Sequence, residues 1–316
     1  MRREDQVAAA RKLLSYLDMR TTAMADSVYH NPVDDYTCPR QAALEREAFF
    51  RRGAVNIGLS CLLPDPGDWM THDYTSVPIL LVRQPDGSLR ASLNVCRHRG
   101  ARVAEGCGGN ASSFSCPYHG WTYGLDGALV ARPDERSFAT VDRAVCGLRA
   151  VPVVEKYGMI WVCPTPGATL DVDGLLDGLA TDLSAYGFAT FHHYETRVLQ
   201  RRINWKLAVD TFLESYHLNA LHGDTISPLF YANRSTFEGF GPNLRWILPR
   251  RTIGSCEPPR RLNGTSSAIP RSSTYCSRTR YSSWRRIISR RGTCSRLATG
   301  STRRACMFRS THPSQR

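Results

Sequence analysis

The chain contains no apolar run long enough to span a bilayer, which excludes a membrane-spanning helix. It also shows no GxGxxG or phosphate loop, so no nucleotide site is expected. Its opening, MRREDQVAAARKLLSYLDM, carries charges throughout and has no apolar core of the secretory type, so no signal peptide is expected. A cytoplasmic address is expected instead. There the eleven cysteines are thiols or metal ligands rather than disulfides.

Lysine and aspartate are absent where the chain is most basic. Residues 250–316 hold 16 Arg, no Lys and no Asp, with Glu257 the lone acid, a net of +15. The whole chain is +13, so residues 1–249 carry the difference, −2. The body is slightly acidic and only the tail is basic, which removes the case for a nucleic-acid partner, since no fold element supports the charge.

The tail also holds 13 Ser and 4 Cys and sustains neither helical nor strand periodicity. A basic arm is one reading, but such arms mix Lys with Arg and are poor in Cys and Trp. Arg and Ser without Lys is what a GC-rich gene yields when translated out of frame. Starting at the third base of the Cys276 codon, codons for Cys276 to Ile288 can be chosen so that the shifted frame reads Phe-Pro-Asn-Thr-Val-Leu-Val-Val-Ala-Ala-Asp-His-Leu. That is an apolar strand preceded by a turn, and the expectation is a change of frame between about Ile253 and Thr274.

Metal-ligating residues are plentiful in one place. The stretch NVCRHRGARVAEGCGGNASSFSCPYHGW, residues 94–121, contains Cys96-x-His98 and Cys116-x-x-His119, with 17 residues, Arg99 to Ser115, between the two pairs. In a Cys2His2 zinc site the two cysteines usually share one knuckle and the two histidines the other. Here each knuckle is mixed, which suits a two-iron cluster whose cysteines hold one iron and whose histidines hold the other. Zinc and ordinary buried cysteines and histidines are the alternatives. Cys107 is expected to be a spare thiol.

A second group lies in RINWKLAVDTFLESYHLNALHGD, residues 202–224. Apolar residues recur there at helical spacing, which predicts a helix from about Asn204 to Leu221. On it Asp210, Glu214 and His217 stand at i, i+4 and i+7, on one face. His222 follows five residues after His217, so the helix must loosen or end there for both imidazoles to face one ion. Two imidazoles and a carboxylate with open positions make the facial triad of an oxygen-activating Fe(II).

The segments CRHRGA and CPYHGWTYGLDG closely resemble the two cluster loops of the Rieske non-haem iron ring-hydroxylating oxygenases, in their alpha subunits. Asp210-x3-Glu214-x2-His217-x4-His222 resembles the mononuclear-iron motif of the same family. The resemblance implies a [2Fe-2S] cluster on Cys96, His98, Cys116 and His119, and a mononuclear Fe(II) on His217 and His222. It implies that Glu214 bridges His119 of a neighbouring subunit to His217, and that Trp121 shields the cluster. It also implies O2 and a small organic substrate, aromatic or otherwise apolar. A Glu at position 214 resembles members that oxidise quaternary amines. Electrons would come from NAD(P)H through a separate reductase or ferredoxin. An alpha-subunit trimer and a possible beta subunit complete the family's assembly.

The family's third iron ligand is an Asp well beyond the second histidine, and only Asp224, Glu238 and Glu257 follow His222 here. The chain as given is therefore expected to be inactive as an oxygenase, with an electron-transfer fragment as the alternative.

The expected fold is α+β: an antiparallel β Rieske domain followed by a truncated helix-capped antiparallel β catalytic domain. Residues 1–45 are a helical lead-in continuing into the amphipathic RQAALEREAFFRR. Residues 46–165 form the Rieske domain, with VPILLVRQ, LRASLNVC and MIWVCP as strands and Asp126-Gly127 as a hairpin turn. Residues 166–253 begin the catalytic domain with a helix in DVDGLLDGLATDLSAYGF, and 254–316 are the aberrant tail. His72, His192 and His193 are read as exposed or hydrogen-bonded surface groups.

Overall fold

The computed structural model describes residues 1–199, 201–256 and 307–309. The chain forms two compact units. One is built from Asp34–Leu175 and Tyr186–Ile203, with β14 (Met307–Arg309) pairing antiparallel to β11 (His192–Glu195). The other comprises Met1–Val33, Leu176–Ala185 and, among the described residues, Asn204–Cys256. The antiparallel strand pairing and the few helices agree with the α+β expectation. The segment Cys276 to Ile288 and most of the tail lie outside the described residues.

In the first unit the runs predicted as strands are strands. Ile79–Arg83 (β3) is buried at every position and is flanked by β2 (Asp68–His72) and β4 (Leu89–Leu93), with β5 (Gly109–Asn110) beyond β2. The Pro-Asp-Gly segment turns β3 into β4, closed by Gln84 N–H to Ser88 O at 2.8 Å. A second sheet pairs β1 (Val55–Leu59) and β9 (Val153–Lys156) on either side of β10 (Met159–Val162). Ile79, Leu81, Ile160 and Val162 from these two sheets share one core.

Arg83 ties the sheets together from within. Its buried guanidinium donates to both carboxylate oxygens of Glu155, at 2.6 and 2.9 Å, and to the carbonyls of Leu63 and Gly87. A buried charge persists only when paired and hydrogen-bonded in this way.

The third sheet, β6 (Ser113–Ser115), β7 (Thr122–Gly124) and β8 (Leu129–Ala131), carries the second cysteine–histidine knuckle between its first two strands. Asp126-Gly127 is the turn from β7 to β8, with Asp126 Oδ1 accepting from Ala128 N–H at 3.0 Å. Before the sheets, α2 (Asp34–Thr37) and α3 (Pro39–Glu45) lead into a π-helical turn over Arg46–Arg51, in the segment expected to be an amphipathic helix.

In the second unit, α1 (Arg3–Asp18) packs Leu13 with Ile247 and Ile253. The hairpin β12 (Thr236–Phe240) to β13 (Asn243–Ile247) presents Arg245 to Asp182, at 2.8 Å, and to Glu238. Asp182 also receives the Met1 amine at 2.9 Å. The helix expected in DVDGLLDGLATDLSAYGF is instead two short pieces, α4 (Val172–Leu175) in the first unit and α5 (Ala180–Ala185) in the second. Gly178 between them stands at φ +76°, which no α-helix accommodates. Among the described residues no helix is long and apolar enough to cross a membrane.

His72 differs from its expected surface role. It is buried, its ring meets Tyr74 edge to face with centroids 5.2 Å apart, and its Nε2 has no hydrogen-bond partner. Burial pushes its pKa down to about 4, only partly opposed by Asp73. The unfolded chain, titrating near 6.5, binds a proton before the folded one does, so stability is full above 6.5 and falls toward pH 4. The loss is about 3 kcal/mol across that window. His72→Phe should flatten this part of the pH dependence of the urea midpoint; an unchanged slope would show that other groups carry it.

Candidate functional site

The two knuckles are one backbone device used twice. In the first, Cys96 N–H donates to Ala101 O at 2.7 Å and Gly100 N–H to Cys96 O at 3.0 Å. In the second, Cys116 N–H donates to Trp121 O at 2.8 Å and Gly120 N–H to Cys116 O at 3.0 Å. Each loop therefore closes over six residues, with its glycine four places after the cysteine. Gly100 and Gly120 lie at φ +80° and +69°, where a side chain would strain the turn.

The closure buries both cysteines in one cluster and sets the two imidazoles beside each other. Both cysteines are buried, in the same core cluster as Trp121 and Tyr123. The His98 and His119 ring centroids are 4.6 Å apart. Cys107 is exposed.

Neighbours hold each part. Buried Asn94 accepts from Val103 N–H and Ala104 N–H, both at 3.0 Å, and donates to Ala104 O at 2.8 Å, which returns the chain after the first loop. The Tyr123 hydroxyl accepts from Arg97 N–H at 3.0 Å. It also shares a hydrogen bond with Cys96 Sγ, 3.2 Å away, in which it is the donor whenever that sulfur is a thiolate. Burial, with that sulfur contact, pushes the Tyr123 pKa far up, so it stays a neutral donor. Trp121 stacks on His98 at 5.0 Å with the planes 7° apart, and burial pushes the His98 pKa down, helped by His119 and Arg99.

These residues fit a two-iron cluster. His98 Nδ1 is buried without a hydrogen-bond partner, a state a buried nitrogen tolerates poorly unless a ligand is meant to occupy it. Among the described residues no three His, Cys, Asp or Glu gather on one point as a single ion requires. Two cysteines for one iron and two histidines for the other ask only for pairs.

The second candidate group is arranged differently from the sequence expectation. Asn204 caps α6 (Trp205–Leu213) through Lys206 N–H at 2.9 Å, but the helix stops there. Glu214 is extended, at φ −132° and ψ 161°, and the helix resumes only as α7 (Leu218–Leu221). The continuous helix over Asn204–Leu221 is thus corrected, and Asp210 on α6 no longer stacks with Glu214 and His217. The cause is local. The extended Glu214 turns its carboxylate onto the backbone N–H groups of Tyr216 and His217, and onto His217 Nδ1. This leaves His217 Nε2 as the nitrogen free for a metal. The His217 and His222 rings come within 5.5 Å, centroid to centroid.

Residues 54–154 match the family model of the Rieske [2Fe-2S] domain, and residues 188–273 match the catalytic domain of the ring hydroxylating alpha subunit. The second match runs past Ile253. The glycine betaine monooxygenase oxygenase subunit of Chromohalobacter salexigens is 31% identical over 228 residues, covering 72% of this chain and 49% of that protein. The large oxygenase component of the naphthalene 1,2-dioxygenase system of Ralstonia sp. is 33% identical over 193 residues, covering 58% and 42%. A crystal structure of the quaternary ammonium Rieske monooxygenase CntA with an inhibitor superposes with TM-score 0.66 at 25% identity, covering 72% of this chain and 63% of that one.

The chain belongs to the Rieske non-haem iron oxygenases, on the side of their large, ring-hydroxylating-type alpha subunits, a family of enzymes that carry a [2Fe-2S] cluster and a non-haem iron. It spans about half the length of the curated relatives it matches.

Asn94 and Tyr123 escaped the sequence reading. The recurring Cys-x3-Gly of CRHRG and CPYHG was the available signal for the paired loops, and it points to the residues that brace them. Replacing Tyr123 by Phe strands Arg97 N–H and removes the donor to Cys96 Sγ. The urea midpoint of the cluster-free chain should fall by about 1–2 kcal/mol in stability; an unmoved midpoint would mean that water replaces the hydroxyl at no cost.

Proposed function

We propose that this chain is the oxygenase component of a Rieske system in which Cys96, His98, Cys116 and His119 hold the cluster, and His217 and His222 contribute to the mononuclear iron site. The observation that carries the proposal is the pair of identically closed loops, in which both cysteines are buried, the two imidazoles lie 4.6 Å apart and His98 Nδ1 has no partner. When bound, the cluster supplies one-electron transfer and the mononuclear iron supplies dioxygen activation.

This chain's residues do the rest. Tyr123 donates to Cys96 Sγ, Trp121 covers His98, and Glu214 holds His217 with Nδ1 occupied. Glu214 is a positioning residue by this geometry, and by family it would also link His217 to His119 of a neighbouring subunit.

Quaternary ammonium compounds are the substrate class we favour. Glu214 at the bridging position and the extent of the match to glycine betaine monooxygenase and CntA support it. Hydroxylation or dihydroxylation of an aromatic or other apolar substrate is the second reading, supported by the match to the naphthalene 1,2-dioxygenase component. A separate reductase or ferredoxin delivers electrons from NAD(P)H, and an alpha-subunit trimer, with or without a beta subunit, is the assembly proposed.

We further propose that the third iron ligand is an Asp encoded in the alternative frame of the tail, so that the chain as given passes electrons but does not oxygenate. The match reaching residue 273 favours a change of frame near the Thr274 end of the interval.

Iron and acid-labile sulfide on the purified chain should come to about two of each per chain, with a Rieske electron paramagnetic resonance spectrum and no third iron. A chain restored to the alternative frame should gain one further iron and consume NAD(P)H and O2 with a reductase and a betaine-type substrate. Three irons on the chain as given would overturn the frame argument, and zinc in place of iron would overturn the cluster.

A further inference from the structure

Behind Trp121 lies a charged group that the cluster ligands do not use. After β8 the chain turns at Arg132-Pro133, and the pyrrolidine Cγ of Pro133 packs 3.1 Å from the position a Cβ would take on Gly120, between His119 and Trp121. Arg132 is almost fully buried there, its side chain 3% exposed. One nitrogen, Nη2, donates to Glu135 Oε1 at 2.8 Å, Val141 O at 2.8 Å and Phe138 O at 3.1 Å. Nε and Nη1 have no acceptor.

Aromatic faces stand on the guanidinium's other side. Its Cζ lies over the rings of Trp121 and Phe138, 5.9 and 5.2 Å from their centroids. Trp121 in turn lies flat on His98, and Phe138 meets both Trp121 and His98 edge to face. The order is therefore guanidinium, indole, imidazole.

We propose that Arg132 is a positioning and potential-setting residue for the cluster: it fixes Trp121 against His98 and places a permanent, poorly solvated cation one aromatic ring behind that imidazole. The proposal rests on His98 being a cluster ligand. A guanidinium holds its charge at any working pH, and a cation over an aromatic face is attracted by it. Reduction adds one negative charge to the cluster, and a fixed cation in a weakly screening surrounding stabilises that state.

Glu135 works in the opposite sense. Its carboxylate is shared between Arg143 and Arg132, and those hydrogen bonds hold its pKa at about 2. The local sum is two cations and one anion, which leaves a net positive charge behind the indole.

The test is a potentiometric titration of the cluster, read by visible and electron paramagnetic resonance spectra, on the full chain and three variants, with iron and sulfide measured for each. Arg132→Met keeps the apolar stem and removes the charge; the one-electron reduction equilibrium should fall about tenfold, or about 59 mV. Arg132→Lys keeps a charge and should recover at least half of that shift. Glu135→Gln, at a half-exposed side chain, should move the potential upward.

Opposite signs for the two charge removals are a signature that packing alone does not produce. A cluster loaded normally whose potential is unmoved in both, or moves the same way in both, overturns the role of Arg132. If Arg132→Met does not fold, the sign of the Glu135→Gln shift decides, and an unchanged or lowered potential overturns the proposal. No iron–sulfur cluster in the parent chain overturns the ligand assignment together with the proposal.

Discussion

Two hydrogen bonds from cysteine N–H groups, to Ala101 O and to Trp121 O, decide where everything else near the knuckles can be. Buried thiols and imidazoles tend to satisfy themselves with backbone or water, since buried polar groups rarely stay unpaired. Closing each loop on its own backbone satisfies the Cys96, Gly100, Cys116 and Gly120 N–H groups within the loops. Asn94 then binds the returning strand, and Tyr123 fills the space below Cys96 while supplying a proton toward its sulfur. The arrangement resists collapse because the backbone has already met its hydrogen-bonding needs.

The same logic in a weaker form governs His217 and His222. The knuckle closure is not repeated there: Leu221 N–H donates to His217 O, and Thr225, Ile226 and Ser227 N–H to His222 O. A single carboxylate, Glu214, leaves helical geometry to bind the backbone of Tyr216 and His217 and the His217 ring. The orientation of the His217 imidazole therefore rests on one exposed side chain.

Much of this was legible in the sequence because cysteine–histidine spacing and β-rich runs are local signals. Ile79–Arg83, Leu89–Leu93 and Met159–Val162 read as strands and are strands. Helical periodicity misled at Glu214, where i, i+4, i+7 spacing continues through a residue whose side chain competes for backbone donors; such competition is invisible to a periodicity count. The break in DVDGLLDGLATDLSAYGF follows from Gly178, one glycine among three in that run, and nothing local says which will take a positive φ. His72 was misread because its burial depends on the tertiary arrangement. Arg132 was hidden for the same reason: a lone arginine before a proline carries no sign that aromatic rings will close over it.

The two knuckles share a backbone but not a histidine position, since His98 follows its cysteine by two residues and His119 by three. The halves are thus related as a near-repeat that is broken on purpose at one place. The offset sends one imidazole inward, against Trp121 and Phe138, while the other sits beside the exposed ring of Tyr118. A symmetric holder gives its contents no front or back; a single residue of mismatch gives this one a direction.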